Sequence, residues 1–226
     1  MDRKRRCAEA ALKYIENKMT VGLGGGSTIG YLAQLIKDRQ LDVEIVTPSM
    51  KTEKLCRELG LKVVPLEYAE KIDTAFDGCD EVDFELNALK SGGGIHTKEK
   101  ITAQLAEKYI LLADDSKVVP KLTFKHPVVL EIIRESLALV RRETEKLGGK
   151  FRLREAVKKD GYVISDSGNL LADIYFENVE NIKELHSRLK NTAGVVEISL
   201  FCGVVHSVIY ADENSINILE VENEKI

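Results

Sequence analysis

Long apolar runs are missing from this sequence, and with them any segment able to cross a membrane. The opening residues, with Arg3-Lys4-Arg5-Arg6 among them, carry charge where a secretory signal needs an apolar core. Cysteine is sparse: Cys7, Cys56, Cys79 and Cys202 are scattered without a CxxC pair, which reads as reduced, mostly buried thiols and a cytoplasmic location. The four histidines, His96, His126, His186 and His206, form neither an HxxxH nor an HxH pair, so no metal site is expected. Basic charge is not in excess either, the net charge being −4. The one basic run heads an amphipathic helix whose inward residues are Cys7, Ala11, Leu12 and Ile15, and its charges read as a solvated helix face. Neither nucleic acid nor a membrane surface is an expected partner. Low-complexity linkers and internal repeats are also absent.

What is present is the material of a soluble globular protein, 44% hydrophobic and 31% charged over 226 residues, enough for one large domain or two small ones. The first half alternates strand and helix. Strands are predicted near Val21, over Val43–Val46, in LKVVPL, in DTAFDG and in YILLAD; helices follow Thr28, span Lys51–Leu59 up to Gly60, and span Lys98–Tyr109 with Ile101, Leu105 and Ala106 on one face. Continuous apolar strands in β-α units imply a parallel sheet covered on both faces. From Val128 the rhythm changes to strand VVLEII, helix Ser136–Leu147, strand KFRLREA, a strand pair in YVISDSGNLLADIYF turning at Asp166–Asn169, helix Val179–Lys190 and strand GVVEISLF. That is the ferredoxin-like β-α-β-β-α-β order with one additional strand. The fold class is therefore α/β: a Rossmann-like, mostly parallel sheet with helices on both faces (residues 1–127 and 203–226) and an inserted ferredoxin-like α+β domain (residues 128–202). The tail strands SVIYA and INILEV return to the first sheet or close its edge.

Chemistry concentrates at the predicted strand ends. VGLGGGSTIG places three glycines and two hydroxyls between a buried strand and a helix that Ser27 or Thr28 can cap, a corner suited to an anion. It is neither a dinucleotide fingerprint, since Ser27 stands where GxGxxG needs glycine, nor a P-loop. FDGCDEVDFELNALKSGGG brings Asp77 and Asp80, then Lys90 and a glycine run, to positions where parallel sheets hold ligands, whereas Asp83 and Glu85 read as turn caps. In HTKEKITA, Thr97 is a candidate N-cap and Glu99 a first-turn carboxylate; ADDSKVV offers Lys117 at a further strand end.

In order and spacing, GLGGGST, DGCDEVD, LKSGGGIHTKEK and ADDSK resemble the GxGTGST, DGADE, KGGGG/A…REK and ADxSK motifs of the ribose-5-phosphate isomerase family, type A. The likeness spans nearly the whole chain. It implies an aldose–ketose isomerase of ribose 5-phosphate and ribulose 5-phosphate, with no metal or organic cofactor, assembled as a homodimer or homotetramer. Carried over residue by residue, it makes Glu99 the carbon-proton base and sets Asp77, Asp80 and Lys90 around the sugar oxygens. Ring opening is assigned to Asp77. Substrate or phosphate binding falls to Gly25, Gly26, Ser27, Thr28, Gly92, Gly93 and Lys117, with Gly78, Cys79 and Ser91 beside them. The sequence departs from the pattern at Gly25, where threonine is usual, at Ser91, where glycine is usual, and at His96, where an apolar residue is usual. A non-catalytic sugar-phosphate sensor is the alternative from another class.

Overall fold

A computed structural model describes residues 2–220. Residues 1 and 221–226 of the expected first domain, and Val221 of INILEV, lie outside the described residues. Helix α1 (Arg3–Ala11) leads into β1 (Thr20–Leu23), α2 (Ser27–Asp38), β2 (Glu44–Val46), α3 (Met50–Glu58), β3 (Lys62–Val63) and β4 (Ile72–Asp77). Short strands β5 (Glu81–Asp83) and β6 (Ala88–Leu89) precede α4 (His96–Leu105), β7 (Ala106–Asp114) and β8 (Val118–Val119). Then come β9 (Val128–Ile132), α5 (Leu137–Lys146), β10 (Lys150–Leu153), β11 (Leu170–Tyr175), α6 (Ile182–Lys190), β12 (Val195–Ile198), β13 (Leu200–Phe201), β14 (Ser207–Ala211) and β15 (Ile216–Glu220).

Seven strands form the central sheet in the order β15-β14-β7-β4-β1-β2-β3, all parallel except the edge strand β15. Apolar residues on both faces of β1, β4 and β7 drive this arrangement. Leu23, Phe76 and Ile110 pack with Cys7, Ala8, Ile29, Leu32 and Cys56 of the helices on one side, whereas Ala75, Tyr109 and Leu111 pack with Ala103 of α4 and Phe201 on the other. Chain order runs outward from β1 to β3 and then resumes at β4 on the far side of β1. The crevice between the C-terminal ends of β1 and β4 is thus a topological switch point, where open α/β sheets receive ligands.

The second sheet, β10-β11-β9-β12, is fully antiparallel and carries α5 and α6 on the face of Leu130, Ala172 and Ile174. Its order is β-α-β-β-α-β without the additional strand expected from YVISDSGNLLADIYF, because the first half of that stretch makes only isolated bridges, Tyr162 with Glu155 and Ile164 with Leu170. A third sheet, β13-β6-β5-β8, was not anticipated. It exists because GVVEISLF is two strands. Ser199 ends the run, its hydroxyl accepting from Val129 N–H at 2.8 Å, and Leu200-Phe201 pairs instead with Leu89 and Ala88.

The helix expected over Lys98–Tyr109 stops at Leu105. From Ala106 the chain pairs with β4, because Tyr109, Ile110 and Leu111 bury more apolar surface between two strands than a helix could offer them. Its buried face also differs from the expected one: Ile101 is 44% exposed, while His96, Glu99, Lys100, Thr102 and Ala103 are buried. Of the basic run, Lys4 and Arg5 are exposed, but Arg6 donates to the carbonyls of Asp212 and Glu213 at 3.0 and 3.1 Å.

Candidate active site

The loop after β1 is shaped by glycine at two positions. Gly26 takes φ of +95° at the start of α2, a conformation that L side chains rarely adopt, and it rather than Ser27 or Thr28 occupies the N-cap position. Neither hydroxyl caps the helix; Ser27 is its first residue and is exposed. The first amide groups of α2 therefore lack intrahelical acceptors and side-chain caps, which leaves the positive end of the helix available to an anion. Gly24 is required by contact: a Cβ there would stand 2.0 Å from Cγ of Asp77.

Asp77, the last residue of β4, is the centre of the site. Its Oδ1 accepts from the N–H groups of Gly25 (3.2 Å) and Gly78 (2.8 Å), and its Oδ2 accepts from Tyr109 Oη (3.0 Å) and meets Lys90 Nζ at 3.0 Å. Lys90 follows β6 and also reaches Glu99 Oε1 at 3.4 Å and the Gly78 carbonyl. All three charged side chains are buried. Burial opposes charge on Lys90, yet Asp77 and Glu99 outweigh it and raise its pKa above the ordinary lysine value. Glu99 is pushed up to about 8, first by burial and then by Asp77 and Asp80, against the pull of Lys90. A simple ion pair would lower the glutamate while raising the lysine. Here one cation serves two carboxylates, so burial decides for Glu99. A carboxyl group so placed gains and loses a proton near neutral pH, as a general base requires.

Glu99 is held there by its helix rather than by a cap. Ile95, not Thr97, occupies the N-cap position of α4; Thr97 Oγ1 donates instead to Glu131 Oε2, tying the first turn to β9. Lys100, one residue on, donates to Glu197 Oε1 (2.9 Å) and to the carbonyls of Ile198 (2.9 Å) and Leu200 (3.1 Å). His96 is buried as a neutral imidazole with Nε2 3.2 Å from the Glu197 carbonyl; burial lowers its pKa to about 4.

Asp80 holds the second glycine loop. Its Oδ2 accepts from Ser91 N–H (2.6 Å) and Gly92 N–H (2.9 Å), and its Oδ1 makes no hydrogen bond among the described residues. Arg154, paired with Asp173 at 2.6 Å, donates to the Ser91 carbonyl at 2.8 Å from the other side. Lys117 Nζ donates to the Cys79 carbonyl at 2.8 Å. Burial pushes the Cys79 thiol up to about 12, so it is no nucleophile at neutral pH.

Asp77, Lys90, Glu99, Asp80 and Lys117 meet at one cavity of about 510 Å³. Gly25, Gly26, Asp77, Gly78, Cys79, Asp80, Lys90, Gly92, Gly93, Glu99 and Lys117 all face it. Ser27, Thr28 and Ser91 do not; Ser91 is buried, its hydroxyl donating to the Pro127 carbonyl at 2.5 Å. Sequence reasoning missed Ser49, Met50, Lys51, Ile95 and Asp166, which complete the lining. Ser49 and Lys51 had a legible signal, a serine between a strand and a helix, and Ser49 does cap α3 by accepting from Thr52 N–H at 3.3 Å. Asp166 belongs to the hairpin turn before β11 and pairs with Lys98 at 2.7 Å, a long-range contact without a local sequence signal. Asp83 is the turn residue expected, accepting from the N–H groups of Glu85 and Asn87, whereas Glu85 is exposed.

Residues 44–215 match the family described as ribose 5-phosphate isomerase A (phosphoriboisomerase A). The ribose-5-phosphate isomerase A of Thermosynechococcus vestitus is 38% identical over 214 residues, 92% of this chain and 91% of that one. Its counterpart from Thermococcus kodakarensis is 38% identical over 222 residues, 96% and 97% of the two chains. Among solved structures, ribose 5-phosphate isomerase A from Methanocaldococcus jannaschii superposes with a TM-score of 0.89 at 33% identity, covering 96% of this chain and 97% of that one. A D-ribose-5-phosphate isomerase in complex with phospho-erythronic acid gives 0.92 at 33% identity, covering 97% and 100%.

Proposed function

The chain belongs to the ribose 5-phosphate isomerase A family, and from that premise we propose that its cavity interconverts D-ribose 5-phosphate and D-ribulose 5-phosphate through a cis-enediolate. The observation that carries the reading is the buried Asp77–Lys90–Glu99 cluster facing a cavity with a helix N-terminus at its rim. The neighbour that binds phospho-erythronic acid, a phosphorylated sugar acid, supports the ligand class.

In this reading the glycine loop and the start of α2 hold the phosphate, with Lys117 nearby. Remote binding then orients the sugar carbons against Glu99. Glu99 removes the proton on C2 of the open-chain aldose, the C–H electrons form the C1–C2 double bond, and negative charge gathers on O1. Lys90 stabilises that charge. The proton returns from Glu99 to C1 as the O2 hydroxyl gives up its own proton and becomes the ketone, while O1 is protonated. Both oxygens of Asp77 already take two donors each. We therefore assign the oxygen-bound protons, including those of ring opening, to Asp80 through its free Oδ1, and give Asp77 the task of holding Lys90. Cytoplasmic residence and a homodimeric or homotetrameric assembly belong to the same proposal, supported by four free thiols and by the family resemblance.

A coupled assay of the purified protein with ribose 5-phosphate tests this. Ribulose 5-phosphate should form, and formation should persist in excess EDTA, because Lys90 supplies the positive charge. Binding without turnover identifies a sensor; activity lost on chelation and restored by a divalent ion refutes the assignment to Lys90.

A further inference from the structure

Tyr109 lies on β7, fully buried behind the cavity wall. Its hydroxyl donates to Asp77 Oδ2 at 3.0 Å, the oxygen that Lys90 Nζ also reaches at 3.0 Å, while Oδ1 is taken by two backbone N–H groups. Lys90 in turn divides itself between Asp77 and Glu99, the latter at 3.4 Å. Tyr109 is thus the side chain that competes with Lys90 for Asp77.

We propose that Tyr109 is a positioning residue for the isomerisation: by sharing Asp77 Oδ2 it limits the hold of Asp77 on Lys90 and keeps the ammonium within reach of Glu99. The inference rests on the isomerase reading above.

Three features suit Tyr109 to this task. Its backbone is fixed on both sides of His206, Tyr109 N–H donating to Nδ1 at 3.1 Å and its carbonyl accepting from His206 N–H at 2.9 Å. Its ring stacks on Phe201 at 6.3 Å, and Phe201 lies 4.6 Å from Lys100 Nζ and 5.9 Å from Lys90 Nζ, so ring and cations form one packed unit. Burial, reinforced by Asp77, Glu99 and Cys79, holds the phenol well above its ordinary pKa, so it stays a neutral donor. The groups facing Glu99 are Lys90, Asp77 and Asp80.

Tyr109→Phe removes the hydroxyl and keeps the ring. Asp77 should then draw Lys90 closer, Glu99 should lose counter-charge, and the rise of kcat/KM with pH should move upward by about half to one pH unit, lowering activity at pH 7 about three- to tenfold. KM should stay within about twofold, since the phosphate is held elsewhere. A carboxyl ¹³C titration of Glu99, assigned by its loss in Glu99→Gln, should show the same upward displacement without relying on turnover. A folded Phe variant with an unmoved Glu99 titration and pH profile, or one whose defect lies wholly in KM, overturns the proposal. Should the Phe variant fail to fold, 3-fluorotyrosine at position 109 keeps the shape and strengthens the donor, and it must move Glu99 the opposite way; an unmoved or raised titration then overturns the idea. Inactivity of the unmodified chain would instead sink the isomerase reading, which the wild-type assay detects by itself.

Discussion

Substituting alanine for Gly24 attacks the site through a single methyl group. The new Cβ would stand 2.0 Å from Cγ and Oδ1 of Asp77 and 2.5 Å from Oδ2, where unstrained contact begins near about 3.5 Å. The backbone cannot yield easily, because Gly24 N–H donates to the Phe76 carbonyl at 2.8 Å and its own carbonyl accepts from Thr52 Oγ1 at 2.7 Å. The carboxylate must therefore withdraw by about 1.5 Å, a distance that abandons the hydrogen bonds of Gly25, Gly78 and Tyr109 and breaks the pair with Lys90. Breaking a buried pair in this way costs about 3–5 kcal/mol, which in a protein of this size lowers Tm by about 6–20 °C. Misplacing reacting groups by about 1 Å costs about a hundredfold in rate. Calorimetric melting and kcat/KM for ribose 5-phosphate measure the two effects. Gly30→Ala is the matched control: it lies inside α2, its Cβ would rest 3.6 Å from Leu55 Cδ2, and it should keep full activity with Tm unchanged or slightly raised. A Gly24→Ala protein with wild-type Tm and kcat/KM would refute the claim that Asp77 organises this site.

Glu99→Gln should fold and bind substrate but lose about two to four powers of ten in turnover; in heavy water it should no longer incorporate deuterium alpha to the carbonyl, and exchange at the wild-type rate would move the base elsewhere. Because Glu99 titrates higher in the folded than in the unfolded chain, its contribution to stability is present below pH 4.5 and is lost as pH rises to about 8. The Gln variant lacks that loss, so its unfolding free energy should gain on wild type across this window, at a rate of at most about 1.4 kcal/mol per pH unit; a constant difference would show that Glu99 is not shifted. At Gly25 the nearest atom to an added Cβ is Ser49 Oγ at 3.8 Å and φ is not positive, so the backbone accepts a side chain there. Gly25→Thr should tighten inhibition by inorganic phosphate by up to about 1 kcal/mol, and unchanged inhibition would show that position 25 does not face the anion.

Local patterns carried the element types a long way. Apolar runs marked β1, β4, β7 and β9, and Gly60 marked the end of α3, because burial and positive φ are properties of short segments. Glycine-rich turns and acids at strand ends located Gly25, Gly26, Asp77, Asp80 and Lys90 at the cavity. The patterns failed where a segment's fate depended on a distant partner. Ala106–Tyr109 has acceptable helix formers and became strand only because β4 was there to pair with it. Ser27 and Thr28 were reasonable caps until Gly26 took the turn, and Ser91 looked like a ligand contact until the Pro127 carbonyl claimed its hydroxyl.

The sequence by itself determined the fold class, the two rhythms of the chain and the family, since periodicity and ordered motifs survive without knowledge of contacts. Tertiary structure alone decided the chemistry of Glu99. First-turn position at a helix start favours an ionised glutamate, whereas burial beside Asp77 and Asp80 opposes it, and the two effects carry opposite signs. Only the packing of α4 against β4 and β7, with one lysine shared between two carboxylates, sets their balance. The same packing hid Tyr109 inside an apolar strand, where its hydroxyl acquires meaning only from the oxygen of Asp77 on the neighbouring strand, 32 residues away in the chain.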